Sequence, residues 1–217
     1  MPRGRNLSDD VVLERAMQVF WRRGYADTSL RELTAATGLG SAALYHRYAD
    51  KQGLFVRVLG RYAERGLAVR IARLATHPEP LEAIRRFFDE LVDASLADPE
   101  RRGCLLVNSA LDGADMGEAA RATVRARLGE VEAFFAARLA CAVAAGALPA
   151  HTDVAAQAAA LLGGVFSIRV AARLYGEPAR LRTLATHALR ALEPAGVPDP
   201  TTPPTRRVAR IARTRTP

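Results

Sequence analysis

The chain has 217 residues and a mass of 23.4 kDa, with 49% hydrophobic and 25% charged residues. This composition excludes a wholly disordered chain, because disorder on that scale needs low hydropathy combined with high net charge. The net charge of +8 indicates a polyanionic partner only weakly, since residues 194–217 hold five arginines and one aspartate and so carry half of it.

The cysteines and the apolar stretches of the sequence indicate its compartment. Cys104 and Cys141 have neither the spacing of metal ligands nor that of a disulfide framework, which is typical of a reducing compartment. No apolar run follows Arg3 and Arg5, and the longest uncharged apolar stretch, residues 154–168, is shorter than the roughly 20 residues that span a bilayer. We therefore expect a soluble cytoplasmic protein without a membrane partner.

Apolar residues recur with helical spacing throughout, and no alternating strand pattern is present, so we predict an all-α fold of about nine helices. The first helix ends at Gly24. A capping box formed by Ser29 and Glu32 opens a second helix, which Gly38 terminates. A third, short helix is expected over residues 41–48.

The chain is also predicted to be helical beyond residue 50. Asp50 caps a fourth, long helix that extends to about residue 75. Further helices are expected at residues 80–96, 118–145, 152–174 and 178–192. The helix at 152–174 is apolar on nearly all sides, so it must be covered on every side.

Residues 28–51 have the layout of a helix-turn-helix, in which a tight turn joins two short helices. Gly38 is needed at the turn, because one residue there must adopt a positive φ for the chain to reverse without strain. Leu39 fills the angle between the helices, and small residues at 41–43 allow the second helix to enter a major groove. This layout predicts binding to double-stranded DNA.

A specific set of residues surrounds this turn: Ala16, Phe20, Gly24, Thr28, Ser29, Leu33, Gly38, Leu39, Leu44, Tyr45, His46, Tyr48, Lys51, Leu54 and Phe55. With this set, residues 11–59 resemble the DNA-binding domain of the tetracycline-repressor family of transcriptional regulators. The resemblance implies an all-helical homodimer with a variable C-terminal ligand-binding domain. It also implies that the protein binds an operator and that a small-molecule effector releases it.

Two residues depart from the family pattern. Thr34 stands where members usually have Ala at the tight contact between helices, so its hydroxyl needs a partner such as a carbonyl of its own helix. Gly40 stands where they usually have a Ser or Thr that caps the recognition helix. Glycine is an acceptable cap, at a cost of roughly a few tenths of a kcal/mol.

The resemblance assigns the phosphate contacts by position. They fall to Tyr45, to Lys51, and to either Thr28 or Ser29 at the start of the second helix. Backbone N–H groups at a helix N-terminus suit phosphate oxygens as well.

Base reading falls to Ser41, Ala42 and His46. These side chains offer few strong donors, which favours an apolar contact to a thymine methyl group over a bidentate guanine pair. Arg3 and Arg5 flank a glycine and are candidates to enter a minor groove, although they also fit a solvated tail.

With the family in view, the predicted organisation has three parts. Residues 1–57 form a three-helix helix-turn-helix domain, and residues 58–193 form a larger helical domain that binds the effector and dimerises. Residues 194–217 form a basic, proline-rich, disordered tail. The homodimer is expected to form through the helices at about 152–174 and 178–192. The partner subunit would then cover the remaining apolar faces of the helix at 152–174.

Six residues of the larger domain are candidates for effector binding: Phe87, Cys104, Asn108, Phe135, Phe166 and Arg169. Aromatic residues at helical spacing are more often part of an ordinary core than of a ligand site. Arg169 interrupts an apolar helix and needs an anion, for which a protein carboxylate or a partner subunit is preferred over an effector carboxylate.

Several other functions remain open from the sequence. Residues 101–110 resemble a segment of electrophile- and oxidant-responsive repressors, so Cys104 near Arg101 and Arg102 is a candidate thiol sensor. A small-molecule-modifying enzyme that carries a helix-turn-helix is a further alternative, although no catalytic constellation is visible. An architectural protein that binds DNA through its basic tail is another. The four histidines share no ligand spacing, so neither a metal nor another cofactor is expected.

Overall fold

The computed structural model describes residues 7–192, and all regular structure in that range is helical, which confirms the predicted fold class. Ten α-helices follow one another: Asp9–Arg23 (α1), Leu30–Thr37 (α2), Ser41–Tyr48 (α3), Lys51–Tyr62 (α4), Val69–Ala75 (α5), Pro80–Leu96 (α6), Leu105–Leu111 (α7), Gly117–Ala144 (α8), Val154–Leu174 (α9) and Pro178–Leu189 (α10). A π-helical segment, Ala63–Ala68, joins α4 to α5 in one continuous helical rod. The predicted long fourth helix is therefore confirmed, with an irregularity that the sequence did not indicate.

The predicted start and stop signals of the N-terminal helices are present. The Ser29 hydroxyl accepts a hydrogen bond from the backbone N–H of Glu32, and the Glu32 carboxylate accepts one from the backbone N–H of Ser29 at 2.9 Å. Gly38 ends α2 with a φ of 75°. Asp50 accepts a hydrogen bond from the backbone N–H of Gly53 at 2.7 Å, which caps α4.

The two residues that depart from the family pattern are accommodated locally. The hydroxyl of Thr34 donates to the Arg31 carbonyl at 2.8 Å, so it finds its partner within its own helix as predicted. Gly40 is the N-cap residue of α3, and no side chain caps that helix.

The buried side chains form two clusters that do not follow the predicted domain boundary. One cluster joins α6, α9, α10 and the second half of α8 around Phe87 and Phe135. The other joins α1, α2, α3 and α4 to α7 and the first part of α8, around Phe20, Phe55 and Leu105. The core of the N-terminal helices thus continues into the C-terminal part of the chain, and the proposed boundary at residue 57 falls inside α4.

Helix α9 buries only one face within this chain. Ala158, Leu161 and Val165 lie in the core, whereas Val170 and Leu174 are 45% and 65% exposed. By length and composition, α9 is also the one described helix apolar enough to cross a membrane, a criterion that core helices of other proteins meet as well. Within the described residues of a single chain, α9 is therefore not covered on every side.

Candidate nucleic-acid interface and interior cavity

Helix α3 packs on the N-terminal core through one face and leaves the other open. Leu44 and Tyr48 are buried beneath it. The predicted DNA-contacting residues of this helix are all exposed: Ser41, Ala42, Tyr45 and His46. Because no side chain caps α3 at Gly40, the first backbone N–H groups of the helix are free to meet an anion.

Polar contacts to the start of α1 hold α3 in place. The Arg47 guanidinium donates to the Leu7 carbonyl at 2.9 Å and pairs with Asp9 at 3.3 Å. The Tyr48 hydroxyl donates to the same Asp9 carboxylate at 3.2 Å. Burial raises the pKa of Tyr48, and the charge of Asp9 raises it further. The exposed face of α3 is therefore presented from a fixed position.

The start of α2 offers less to a phosphate than the sequence suggested. Thr28 is 2% exposed, and its hydroxyl already donates to the Gly24 carbonyl at 2.6 Å, so of the two candidates Ser29 is the accessible one. Ser29 is exposed, but its hydroxyl donates to the Glu32 carboxylate at 2.8 Å. The hydrogen bonds from the Ser29 backbone and side chain lower the pKa of Glu32, which therefore stays anionic. A phosphate must share Ser29 with that carboxylate.

Lys51 is half-buried at the junction of α4 with the turn after α1. Its ammonium donates to the Ala26 carbonyl at 3.3 Å and lies 4.4 Å from the centroid of the Tyr25 ring. Burial lowers the pKa of Lys51, whereas the charges of Asp27 and Glu32 act in the opposite direction. One of the three ammonium donors is used by the carbonyl, so the others can reach a phosphate.

One cation on this side was missed by sequence reasoning. Arg31 is exposed on α2, two residues after Ser29, and no carboxylate of residues 7–192 lies within 4.0 Å of its guanidinium. Its position in the first turn of a helix, two residues after the capping Ser29, was the available signal. Arg3 and Arg5, the proposed minor-groove residues, lie outside the described residues.

A cavity of about 450 Å³ lies where the two clusters meet. Its wall includes Trp21 from α1, Tyr62 from α4 and Gly66 from the π-helical segment. The π-helical segment thus borders the cavity, and such irregularities frequently mark functional sites. The remaining wall comes from α5, α6, α7, α8, α9 and residues 97–104.

Three arginines lie in the cavity wall. Arg70 pairs with Glu90 at 3.1 Å, and Arg102 pairs with Asp98 at 3.1 Å. Arg169 donates to the Ser95 hydroxyl at 2.9 Å. The third guanidinium therefore has a neutral partner, whereas the other two have carboxylates.

The inner ends of α1 and α4 meet at the cavity. The Trp21 ring lies edge-on to the Tyr62 ring, with centroids 5.0 Å apart, and the Arg102 guanidinium lies 4.3 Å from the Trp21 ring centroid. Burial chiefly, together with the adjacent Cys104, raises the pKa of Tyr62 far above its ordinary value, while Arg169 acts in the opposite direction. Tyr62 is therefore a neutral phenol.

The structure divides the six predicted effector-binding residues into two groups. Phe87, Cys104 and Arg169 line the cavity. Phe135 is fully buried in the core behind Phe87, with ring centroids 5.0 Å apart, so it lies outside the cavity wall. Phe166 and Asn108 also lie outside the wall, and the amide of Asn108 donates to the Arg102 carbonyl at 2.7 Å.

A helix-turn-helix with an open recognition helix, joined to a helical domain that encloses a cavity, defines a DNA-binding regulator with a ligand-binding domain. Residues 12–58 match the family model for bacterial regulatory proteins of the tetR family, and residues 80–188 match a tetracyclin repressor-like C-terminal domain. The chain therefore belongs to the tetracycline-repressor family of transcriptional regulators.

Relatives and solved structures agree with this assignment. The chain is 33% identical over 147 residues to the HTH-type transcriptional repressor ComR of Escherichia coli, which covers 67% of this chain and 70% of ComR. It is 38% identical over 113 residues to the uncharacterized regulator YezE of Bacillus subtilis, covering 52% of this chain and 58% of YezE. A structure of the regulator CifR with 26-base-pair double-strand operator DNA matches with a TM-score of 0.79 and 34% identity, over 87% of this chain and 99% of CifR.

Proposed function

We propose that the protein is a ligand-responsive repressor, which binds a palindromic operator as a homodimer and is released when a small molecule occupies the cavity. The observation that carries the DNA-binding part is the exposed face of α3, with Ser41, Ala42, Tyr45 and His46 held outward by a buried Leu44. The similar chain CifR was solved on operator DNA, which supports the same use of this face.

The apolar face of α9 supports the homodimer. Val170, Leu174 and Tyr175 are exposed on and just after this helix, at 45%, 65% and 45%. A second copy of α9 and α10 across a two-fold axis would cover this surface, and the symmetry would place two recognition helices on successive major-groove faces about 34 Å apart.

Release is a two-state equilibrium in this proposal. The effector prefers the conformer in which the separation of the two recognition helices no longer matches the operator. A coupling free energy of about 1–3 kcal/mol would lower operator affinity roughly 5–150-fold. The rod formed by α4, the π-helical segment and α5 connects α3 to the cavity wall and is the proposed lever.

Selection of bound oligonucleotides from a random pool tests the proposal, because it yields the half-site and its spacing. With the selected site, we expect Tyr45→Phe and Lys51→Ala to weaken binding to all sequences, and Lys51→Ala to reduce the slope of log affinity against log salt by about one. Arg85→Ala is the matched control, since it removes an exposed cation from α6. Binding that selects no sequence, or an unchanged slope and affinity for Lys51→Ala, would contradict the assigned interface.

The thiol-switch alternative is favoured by one observation, the position of Cys104 in the cavity wall next to Tyr62. Substituting Cys104→Ser separates the two mechanisms. If electrophiles release DNA from the parent protein but not from this variant, the thiol is the sensor. If they release both equally, reversible ligand binding remains.

We also infer that the protein acts in the cytoplasm, where its DNA target lies, and that it catalyses no reaction. Support for the second point comes from the chain's membership of a family of transcriptional regulators. A tail-deletion variant lacking residues 195–217 addresses the architectural alternative. Sequence-selective binding should survive the deletion if the helix-turn-helix carries it.

A further inference from the structure

The charges around the cavity do not balance. The single carboxylate of Glu90 serves both Arg70, at 3.1 Å, and Arg73, at 2.6 Å. Arg169 has only the Ser95 hydroxyl, at 2.9 Å, and within residues 7–192 no carboxylate lies inside 4.0 Å of its guanidinium. The three guanidinium groups of Arg70, Arg73 and Arg169 therefore have one neighbouring carboxylate among them, and it contacts only the first two.

This excess of positive charge lies partly out of water. Burial lowers the pKa of Arg70, and the charge of Arg169 lowers it further, while Glu90 opposes both. Both arginines line the same cavity, and the Arg70 side chain is only 18% exposed. Charges removed from water are normally paired, because an unpaired one costs free energy. A bound anion would supply the missing partner.

The partner subunit is not placed to supply it. The Arg169 guanidinium is directed at Ser95 on α6, inside the chain. The exposed face of α9 instead carries Val170 and Leu174. The anion that fits must therefore enter the cavity itself.

The rest of the cavity wall is mostly apolar. Phe87, Leu91, Val131 and Val165, from three different helices, line the same cavity as Arg169. The volume of about 450 Å³ lies within the range of small-molecule sites. An occupant must therefore combine one anionic group with a hydrocarbon body.

We propose that the cavity binds an apolar monocarboxylate, whose carboxylate pairs with Arg169 and whose hydrocarbon body lies against Phe87 and Val165. Arg is suited to this role, because its planar fork matches the two oxygens of a carboxylate. This inference rests on the proposed function, since it names the chemical class of the effector.

Matched pairs of ligands test the charge requirement in the parent protein. Octanoate, decanoate and 4-phenylbutanoate are titrated beside their primary amides at pH 7.5, where the carboxylates are ionised. Trp21 is the only tryptophan and lies in the cavity wall, so its fluorescence reports occupancy, and calorimetry gives the affinity. At least one acid should bind about tenfold more tightly than its amide. Equal binding of acid and amide, or no binding of any acid at millimolar concentration, would overturn the proposal.

A variant pair locates the carboxylate. Arg169→Gln should lower the affinity for the acid by about 10–100-fold, because a charge-assisted pair is lost, and should change the affinity for the amide little. Arg173→Gln removes the same charge from an exposed position one turn further along α9 and should change neither. If both variants lose the same affinity for the acid, the carboxylate does not pair specifically with Arg169. Inorganic phosphate is titrated as a third type of ligand. If phosphate alone gives the full fluorescence response and the acids then cause no further change, the proposal is overturned.

Operator release is measured separately, by fluorescence anisotropy of labelled DNA. An acid that binds without releasing DNA would leave the ligand class standing and refute its role as effector. If the protein binds its DNA site specifically but binds none of the acids, the proposed ligand class is refuted and the proposed DNA-binding function stands. The two failures are therefore distinguishable.

Discussion

The junction between the cavity and α1 gives a sharp stability prediction. The Asp98 carboxylate accepts hydrogen bonds from the Arg102 side chain at 3.1 and 3.2 Å and from the Arg102 backbone N–H at 2.8 Å. The same guanidinium donates to the Gln18 side chain on α1 at 2.6 Å and lies over Trp21. We expect Asp98→Asn to destabilise the protein, because it leaves a partly buried arginine without its main countercharge.

The magnitude follows from burial. The side chains of Asp98 and Arg102 are 14% and 20% exposed, so solvent screens the pair only in part. Removing one partner of a fully buried pair costs about 3–5 kcal/mol, and an exposed pair contributes about 0–1 kcal/mol. Asparagine retains an acceptor for the backbone N–H groups, so we expect a loss of about 2 kcal/mol. For a chain of this size that lowers Tm by about 4–8 °C.

The dependence on pH has a definite sign. Burial raises the pKa of Asp98, but the hydrogen bonds from Arg102 outweigh it and hold the pKa below its ordinary value. The stability that Asp98 contributes is therefore complete above the unfolded-state pKa of about 3.9 and is lost as pH falls through the lower folded-state pKa. The difference between parent and Asp98→Asn should be constant near neutral pH and shrink below about pH 4.

Urea unfolding followed by Trp21 fluorescence measures this difference, at one fixed protein concentration because a dimer is expected. Asp93→Asn is the matched control, since Asp93 is exposed on the same end of α6. A loss for Asp98→Asn within about 0.5 kcal/mol of the control would refute the reasoning, as would a difference that grows on acidification.

Other substitutions test the packing and the proposed dimer. Gly53→Ala should lower the free energy of unfolding by more than about 2 kcal/mol, because a Cβ there would collide with the backbone carbonyl of Tyr48. Gly60→Ala on the same helix places its Cβ where no atom lies within 4 Å, so it should stabilise the protein by about 0.5–1 kcal/mol. Thermal unfolding distinguishes the two variants. Phe135→Ala should cost about 3–5 kcal/mol in urea unfolding, because the ring is fully buried. Leu174→Asp should give a monomer by light scattering with the helical circular dichroism retained, and a dimer of unchanged affinity would contradict the proposed interface.

The features that could be predicted from the sequence are those determined by neighbouring residues. The capping box of Ser29 and Glu32, the positive φ of Gly38 and the cap at Asp50 depend on contacts within a few positions, so each appears where the sequence indicated it. The same reasoning located the open face of α3. Thr28 was assigned to a phosphate by the resemblance instead, as an alternative to Ser29, and its buried hydroxyl donates to the Gly24 carbonyl.

The cavity could not be predicted in the same way, because its wall is assembled from distant segments. Trp21, Tyr62, Asp98 and Arg169 come from separate parts of the chain, and no local spacing connects them. Nor does any residue pattern mark the π-helical segment. Residue type alone was also an insufficient guide for Asn108. This polar residue in an apolar segment was a candidate to line the cavity, whereas its amide donates a hydrogen bond to the Arg102 carbonyl.

The position of the cavity indicates how occupancy would reach the DNA-binding helices. A ligand in contact with Trp21 and Tyr62 touches both α1 and α4, the two helices on which α2 and α3 are packed. Residues 98–102 add polar links to α1, through Arg102 to Gln18 and through Glu100 to Arg22 at 2.9 Å. Movement of the cavity wall therefore acts on α1 as well as on the α4 rod. A rotation of the whole three-helix unit is easier to reconcile with these contacts than a displacement of α4 alone, because α1 and α4 share one buried core.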